Sequence, residues 1–483
     1  MAKAKTSSYI LEFELIVQSA RNKVILDKKM RIGKSIYNAC LGYCLKRLKA
    51  VKADKEYRTL LKEPSSKVRN QRLREIERSH GYSEYQVHEF AKSPKYHFGK
   101  ALGINEVQKL ATRAFQSVEK VHYHQAARVH FKKKFDDMSI ENKSNNTGLR
   151  KKDMKILWGE LELDFKVKRN DDYALEGLCD RTKYVRVIKR EIRGKQRYFV
   201  QLVQEGLPPK KYNCEPKNDD SKRVGMDVGT STSAIVSEEN VMLVELAPDC
   251  TPDYKELRKV QRAMDRSKRA SNPDNFDKNG VAKKGRRTWT YSNRYIQLKA
   301  KRKELYRKLT VKRKQSHEQL ANEILALGSD IRVETMQFQS LAKRAKNTTR
   351  NKKNGKINKK KRYGKTIAHR APAMLISIID RKLRYQGRSI KKIDTYSTKA
   401  SQFNHATQTY AKKQLNERWN DIQGLAIQRD LYSAFLIGNT HDNLDSVDVD
   451  LCNDQWKKFV ALHHLEIERL RQSSNKTLSW YVA

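Results

Sequence analysis

From residue 8 to 17, Leu11, Phe13, Leu15 and Val17 alternate with polar positions that include Glu12 and Glu14. A period of two predicts a strand. From about Lys28 the period changes: Ile32, Ile36, Cys40, Tyr43 and Leu48 recur at helical spacing among basic residues, which predicts an amphipathic helix. The stripe Val107, Leu110, Ala114, Val118 and Val121 predicts another helix over 104–133. Strand patterning returns at 156–204, where Leu161, Leu163, Phe165 and Val167 alternate. Segments 184–192 and 197–203 flank Arg193-Gly194-Lys195, a hairpin signal. The Pro-containing polar stretch 205–222 reads as a linker. A strand-rich domain therefore holds a helical insertion, with the chain leaving the domain and re-entering it.

Beyond the linker, apolar runs predict strands around residue 227, at 233–237 and at 241–246. Two long basic helical stretches follow, about 254–268 and 289–327, then a strand around residue 334. A helix at 373–383, a short strand at 390–395 and an amphipathic helix opening near residue 430 complete the half. Residues 343–365 form a low-complexity basic tract, a solvated loop that nucleic acid can order.

Composition narrows the partners. The 483 residues leave room for two to four domains. The formal net charge is +48, with Lys and Arg spread along the whole chain. Such a chain repels itself, so a polyanion is its natural partner; on charge alone, general nucleic-acid binding, as in a ribosomal or chromatin-type packing protein, fits better than a specific enzyme. No apolar run approaches the ~20 residues of a membrane span, and no secretory h-region opens the sequence. The six cysteines form no paired CxxC knuckles, and Cys40 and Cys44, one helical turn apart, suit a core. Free thiols suit a reducing cytosol.

Three carboxylates change the picture. Asp227 lies in Val-Gly-Met-Asp-Val-Gly-Thr (224–230), Glu334 in Ile-Arg-Val-Glu-Thr-Met (331–336), and Asp430 in Gln-Arg-Asp-Leu-Tyr-Ser-Ala-Phe-Leu-Ile (428–437). Singly, each is an ordinary strand-end or helix-start acid. In order, they mark the first of three strands, a fourth strand after a helical insertion, and a late helix, which is a ribonuclease H-like arrangement. Two strand acids and one helix acid can converge at a sheet edge. Converging carboxylates repel unless a cation lies among them, and hard oxygen ligands favour Mg²⁺ or Mn²⁺. Two such ions roughly 4 Å apart activate a water and stabilise the leaving oxygen of a phosphodiester.

These motifs resemble those of TnpB, the transposon-encoded RNA-guided nuclease, and of its relatives, the compact type V CRISPR effectors. The segment 225–230 resembles the first RuvC motif and 333–341 the second. Segment 428–434 resembles the third, with changes flanking the acid. The segment from Ile36 to Arg47 resembles the first recognition-lobe helix of one TnpB branch. The resemblance covers nearly the whole chain up to about residue 440.

It implies a bilobed multidomain protein of α/β and α+β class. A β-barrel-like wedge domain (1–28 and 136–215) would carry a helical recognition insertion (29–135). A C-terminal RNase H-like (RuvC) nuclease domain (216–442) would carry a helical insertion (254–327), and 443–483 would be a C-terminal tail. It further implies a structured guide RNA, a double-stranded target DNA read beside a short motif, and catalysis by Asp227, Glu334 and Asp430 holding two Mg²⁺, with Mn²⁺ as the alternative. Phosphates would be tracked by Lys283, Lys284, Arg286, Arg287, Lys343, Arg344, Lys359, Lys360 and Arg362. Trp289, Tyr291 and Tyr295 suit stacking on unpaired bases or, equally, helix packing.

Family members carry a four-cysteine zinc ribbon before the third motif. Here, in 397–427, Asn404 and Thr407 stand where the first CxxC would be, only His405 remains, and no Cys lies between Cys250 and Cys452. No zinc is expected; Phe403, Tyr410, Leu415 and Trp419 are candidates to keep the segment's shape. The expected setting is a prokaryotic cytoplasm with no membrane, as a monomer or homodimer. Two alternatives stay open: a guided DNA-binding, repressor-like protein without useful cleavage, and an unguided RuvC-type resolvase or transposase.

Overall fold

The structure, a computed structural model, describes residues 6–133, 138–209, 222–278, 280–343, 347–350, 355, 363–412, 414 and 417–482. The mixed α/β chain divides into two compact units, Met1–Tyr212 and Asn213–Ala483.

In the first unit, β1 (Ser8–Leu15) buries Tyr9, Leu11, Phe13 and Leu15 on one face. Helix α1 (Ala20–Ala53) begins upstream of Lys28, because the Ser19 hydroxyl accepts from the Arg21 N–H and Leu26 extends the buried stripe. Helices α2 (Lys55–Leu60), α3 (Lys67–Ser79), α4 (Glu84–His97) and α5 (Ile104–His122) follow. Helix α5 stops at His122, short of the 133 expected; His124 takes a left-handed φ of 57°. Helices α1, α4 and α5 pack together, with Ile36, Cys40, Cys44, Val107 and Leu110 in their shared core. Burial pushes both thiols up to about 12, as suits packing residues.

The chain re-enters the sheet with β2 (Ser139–Glu141), β3 (Arg150–Lys152), β4 (Lys155–Trp158) and β5 (Leu161–Lys166). Helix α6 (Asp172–Cys179) leads into the hairpin of β6 (Thr182–Ile192) and β7 (Lys195–Glu205). The hairpin turns on Arg193 and Gly194 with φ of 51° and 75°, the left-handed pair of a two-residue turn. The seven strands run in the order β2-β6-β7-β1-β5-β4-β3 with every pair antiparallel, and the sheet curls until β3 packs back on β6. Buried Glu106 of α5 ties helix to sheet by accepting from Trp158 Nε1 at 3.0 Å and the Leu149 N–H at 3.1 Å.

The second unit is built on β8 (Arg223–Val228), β9 (Thr232–Ser237), β10 (Val241–Glu245), β11 (Asp330–Glu334) and β12 (Lys391–Ile393), in the order β10-β9-β8-β11-β12. The first three form an antiparallel meander, and β11 and β12 run parallel to β8. Helices α7 (Thr251–Ala270) and α8 (Asn293–Leu327) fill the β10–β11 connection. Helices α9 (Phe338–Ala342), α10 (Gly364–Arg370) and α11 (Pro372–Arg384) fill the next. After α12 (Thr395–Thr398) come two small hairpins, β13 (Phe403–Asn404) with β14 (Thr409–Tyr410) and β15 (Trp419–Ile422) with β16 (Leu425–Gln428). Helices α13 (Arg429–Gly438), α14 (Val449–Gln472) and α15 (Lys476–Val482) end the chain.

Alternation along the central strands decides what faces what. Val224, Met226 and Val228 of β8 and Ile331 and Val333 of β11 pack on α8 and α11. Gly225, Asp227, Arg332 and Glu334 therefore turn to the opposite face, covered by α13. Of residues 443–483, expected as a tail, the described part up to Val482 folds onto this unit, with α14 and α15 as its helices. Glu466 of α14 accepts the N–H of Leu243 on edge strand β10 at 2.6 Å, which blunts that edge. Phe459 stacks on Phe435 of α13 at 4.3 Å. Among the described residues, no helix is long and apolar enough to cross a membrane.

Candidate active site

Met226 and Val333 are register partners on the parallel strands β8 and β11. The next residues, Asp227 and Glu334, thus stand side by side near the C-terminal ends of their strands, on the face turned to α13. Asp430 lies in the first turn of α13, where a negative charge complements the exposed helix N–H groups. Its helix is capped by Gln428, whose side chain accepts the Leu431 N–H at 2.8 Å.

Asp227 feels both other acids. Burial, then Asp430, then Glu334 push the Asp227 carboxyl well above the usual carboxylate range. Ser433, one turn beyond Asp430, has its hydroxyl oxygen buried without a hydrogen-bond partner among the described residues. Burial also raises Glu334, whose Oε1 is buried without a hydrogen-bond partner. Two guanidinium groups flank Asp430, Arg418 at 3.5 Å and Arg429 at 3.6 Å. Arg418 is itself held against the Trp480 and Tyr481 rings of α15, at 4.3 and 4.7 Å from their centroids. Among the described residues no three His, Cys, Asp or Glu side chains already form a closed metal-binding cluster. The acids share an electrostatic field rather than a finished cage. One carboxylate oxygen without a partner and one carboxyl held above its usual range leave these hard oxygen donors uncompensated by the described residues.

What holds α13 in place was not read from the sequence. A Cβ on Gly225 would collide with the Ala434 carbonyl and the Gly438 nitrogen, and would lie 2.7 Å from Gly438 Cα. Only glycine lets helix and strand approach this closely; a glycine inside an apolar strand was the available signal. Arg332, fully buried on β11, reaches past the helix end. It donates to the Thr440 carbonyl, to Asp442 Oδ1 at 2.8 Å and to Asp330 Oδ2 at 2.9 Å. Its neighbour Asp330 also accepts from Lys391 at 2.9 Å. From α14, His463 Nε2 accepts the Gln428 N–H at 3.0 Å, bracing the start of α13.

The predicted basic residues lie elsewhere. Lys283, Lys284, Arg286 and Arg287 are exposed in the α7–α8 loop, and Lys343 is exposed after α9. Arg344, Lys359, Lys360 and Arg362 lie outside the described residues. Trp289 already has partners, with Lys268 Nζ 3.6 Å from its ring centroid and the Phe276 ring against it at 5.6 Å. Tyr291 stacks on Tyr295 at 4.5 Å.

In the segment expected as a degenerate ribbon, the Asn404 side chain accepts the Ala406 N–H at 3.0 Å, and Thr407 bonds Thr409 at 2.8 Å. Phe403 packs on Tyr410 at 4.9 Å. Leu415 lies outside the described residues. His405 is buried, with Nδ1 2.7 Å from the Tyr432 hydroxyl. The turn is thus held by an Asx-type bond, a hydroxyl pair and an aromatic contact.

No family model matches the sequence, and no curated protein matches it. Among solved structures, the cryo-EM structure of a Cas12f1–sgRNA–target DNA complex superposes with a TM-score of 0.42 at 14% identity, covering 90% of this chain and 99% of that one. The cryo-EM structure of a CRISPR–Cas12f ternary complex gives a TM-score of 0.26 at 12% identity, covering 87% and 82%.

Proposed function

We propose that this chain is an RNA-guided DNA endonuclease of the TnpB and compact type V kind, with a ribonuclease H-like (RuvC) nuclease in its second unit. The observation that carries the reading is that Asp227, Glu334 and Asp430 lie towards one face of the sheet, where burial, then Asp430 and Glu334, make the Asp227 carboxyl costly to ionise. The three would hold the Mg²⁺ or Mn²⁺ ions, which supply an activated water and stabilise the leaving oxygen of a phosphodiester. The chain's own part is positional. Gly225 and Arg332 fix α13 against β8 and β11, and Arg418 and Arg429 offset charge at Asp430.

The guide RNA follows from the net charge of +48, which a stably bound polyanion neutralises, and from the motif resemblance. The ribbon-like turn needs no zinc in this reading. One observation favours the guided but non-cleaving alternative: two guanidinium groups already occupy the neighbourhood of Asp430.

Expression with the native locus, followed by sequencing of co-purified RNA, should yield one defined RNA whose guide redirects cutting. Asp227→Ala should lower cleavage by roughly 10³-fold while leaving target binding intact. Undiminished specificity after RNase treatment would replace the guided reading with the resolvase or transposase one. Guided binding without cutting, in the unaltered protein with Mg²⁺ or Mn²⁺, would establish the repressor-like one.

A further inference from the structure

Between α7, α8 and α10 lies a groove of about 590 Å³. Its cationic lining includes Lys255, Arg258, Lys259 and Arg262 along one side of α7, Arg313 of α8 and Lys365 of α10, and among the described residues no acidic side chain lines it. The neighbouring cavity shares Lys255 and Lys259 but is of mixed charge, with Glu245, Glu256 and Lys476 also lining it. Arg258, Arg262 and Lys365 are exposed and form no ion pair with a described residue.

The floor is fixed. Tyr254 and His369 stack in parallel with centroids 3.5 Å apart. Arg313 donates to the Ala368 carbonyl at 2.8 Å, while its Nε stays buried without a partner. Tyr306 stands at the rim, 48% exposed. His369 reports the uncompensated field: burial, then Lys365, Arg370, Arg313 and Arg258, push it down to about 4.

We propose that this groove is a track for a single nucleic-acid strand, with phosphates on Arg258, Arg262 and Lys365 and an unpaired base on Tyr306. Residues 255 to 262 span about 10 Å of helix, enough to meet more than one phosphate of a passing strand. An aromatic rim stacks any unpaired base without reading it, which a duplex with its bases paired inside cannot offer. The inference rests on the nucleic-acid part of the proposed function and not on cleavage.

The test uses the full chain, stripped of nucleic acid by nuclease and high salt. Fluorescent oligo(dT) and oligo(rU) of eight nucleotides are titrated over a range of salt. Replacing exposed Arg258 and Arg262 by Gln should weaken binding at least tenfold and reduce the salt slope by about 1.4, the value for two phosphate contacts on a single strand. A charge-matched control, Lys457→Gln with Lys458→Gln on α14, should change neither. A preference for oligo(rU) assigns the track to RNA, a preference for oligo(dT) assigns it to displaced DNA, and equal binding supports a backbone track that ignores the sugar. In histidine NMR, with the His369→Gln variant used to assign the resonance, the His369 pKa should rise when oligonucleotide binds, because phosphates screen the surrounding cations. Equal behaviour of the groove and control variants, with the His369 titration unmoved, overturns the proposal. Asp227→Ala should leave this binding unchanged, so the groove and the nuclease can fail independently.

Discussion

The acid edge of the five-stranded sheet and the cationic groove of α7, α8 and α10 both present charge, but they are built in opposite ways. At the edge, backbone touches backbone: Gly225 lies under Ala434 and Gly438, and a fully buried guanidinium pins the end of α13. In the groove, a plain apolar seam of Leu257, Val260, Met264, Leu305 and Leu309 leaves long exposed side chains to carry the charge. Chemistry on a reacting bond tolerates errors of only a fraction of an ångström, whereas phosphate tracking tolerates mobile lysines and arginines. The edge should therefore break under single substitutions that the groove would absorb.

The largest break is expected from Gly225→Ala. The added methyl has no room that a rotamer change could create, because what it meets is main chain. A loss of at least ~3 kcal/mol should appear in calorimetry as a lowered transition of the second unit. Exposed Arg258→Gln with Arg262→Gln should stay within about 0.5 kcal/mol. Equal melting of the two variants would dissolve the contrast.

Acid sharpens it next. Burial, then His464, push His463 down to about 4, from 6.5 in an unfolded chain. Between those values the unfolded state holds more protons than the folded one. The stabilisation is therefore complete above pH 6.5 and is lost as pH falls towards 4. For a fully buried ring this is on the order of 3 kcal/mol, and it releases the Gln428 N–H at the start of α13. His369 in the groove shares the direction, but bound oligonucleotide should relieve its penalty and not that of His463. Denaturant titrations at about pH 7 and about pH 5, with and without oligonucleotide, separate the two. Equal rescue of both by oligonucleotide contradicts the assignment.

The same contrast explains what could be read in advance. Strand alternation in 8–17, the hairpin around Arg193-Gly194, and the strand and helix contexts of Asp227, Glu334 and Asp430 depend on near neighbours, so short segments reveal them. Arg332 looks like a surface residue in a strand until Thr440 and Asp442 are brought to it. The bracing by Glu466, His463 and Trp480 joins residues far apart in the chain, 35 positions even for the nearest pair, His463 and Gln428, and no local pattern encodes such pairings. The groove was hidden for another reason: with 103 Lys and Arg in the chain, basic residues at 258, 262 and 365 are no more conspicuous than those at 283–287. Which cations matter depends on where acids are missing in space.

Arg332→Met tests whether the pin matters as much as the glycine. The Thr440 carbonyl would lose a buried donor, while Asp330 keeps Lys391. A loss of about 2 kcal/mol is expected, smaller than for Gly225→Ala because no backbone has to move. Unchanged stability in chemical denaturation would show that α13 is held by apolar packing alone.

The smallest effect is the most specific to the acid edge. Arg418 lies 3.5 Å from Asp430 and is only 16% exposed, with Trp480 and Tyr481 holding its guanidinium. A cation there competes with any divalent ion for the same carboxylate. Arg418→Gln should therefore tighten Mn²⁺ binding, measured calorimetrically on RNA-free protein, by roughly fivefold, equivalent to about 1 kcal/mol of removed repulsion. Trp480→Ala should do the same more weakly, because it frees the guanidinium without removing its charge. The groove pair Arg258→Gln and Arg262→Gln, which removes more charge from exposed positions, should leave Mn²⁺ affinity where it was, since solvent and salt screen those groups. If the groove pair tightened Mn²⁺ as much as Arg418→Gln, the effect would belong to net charge, and Arg418 would have no special place beside Asp430.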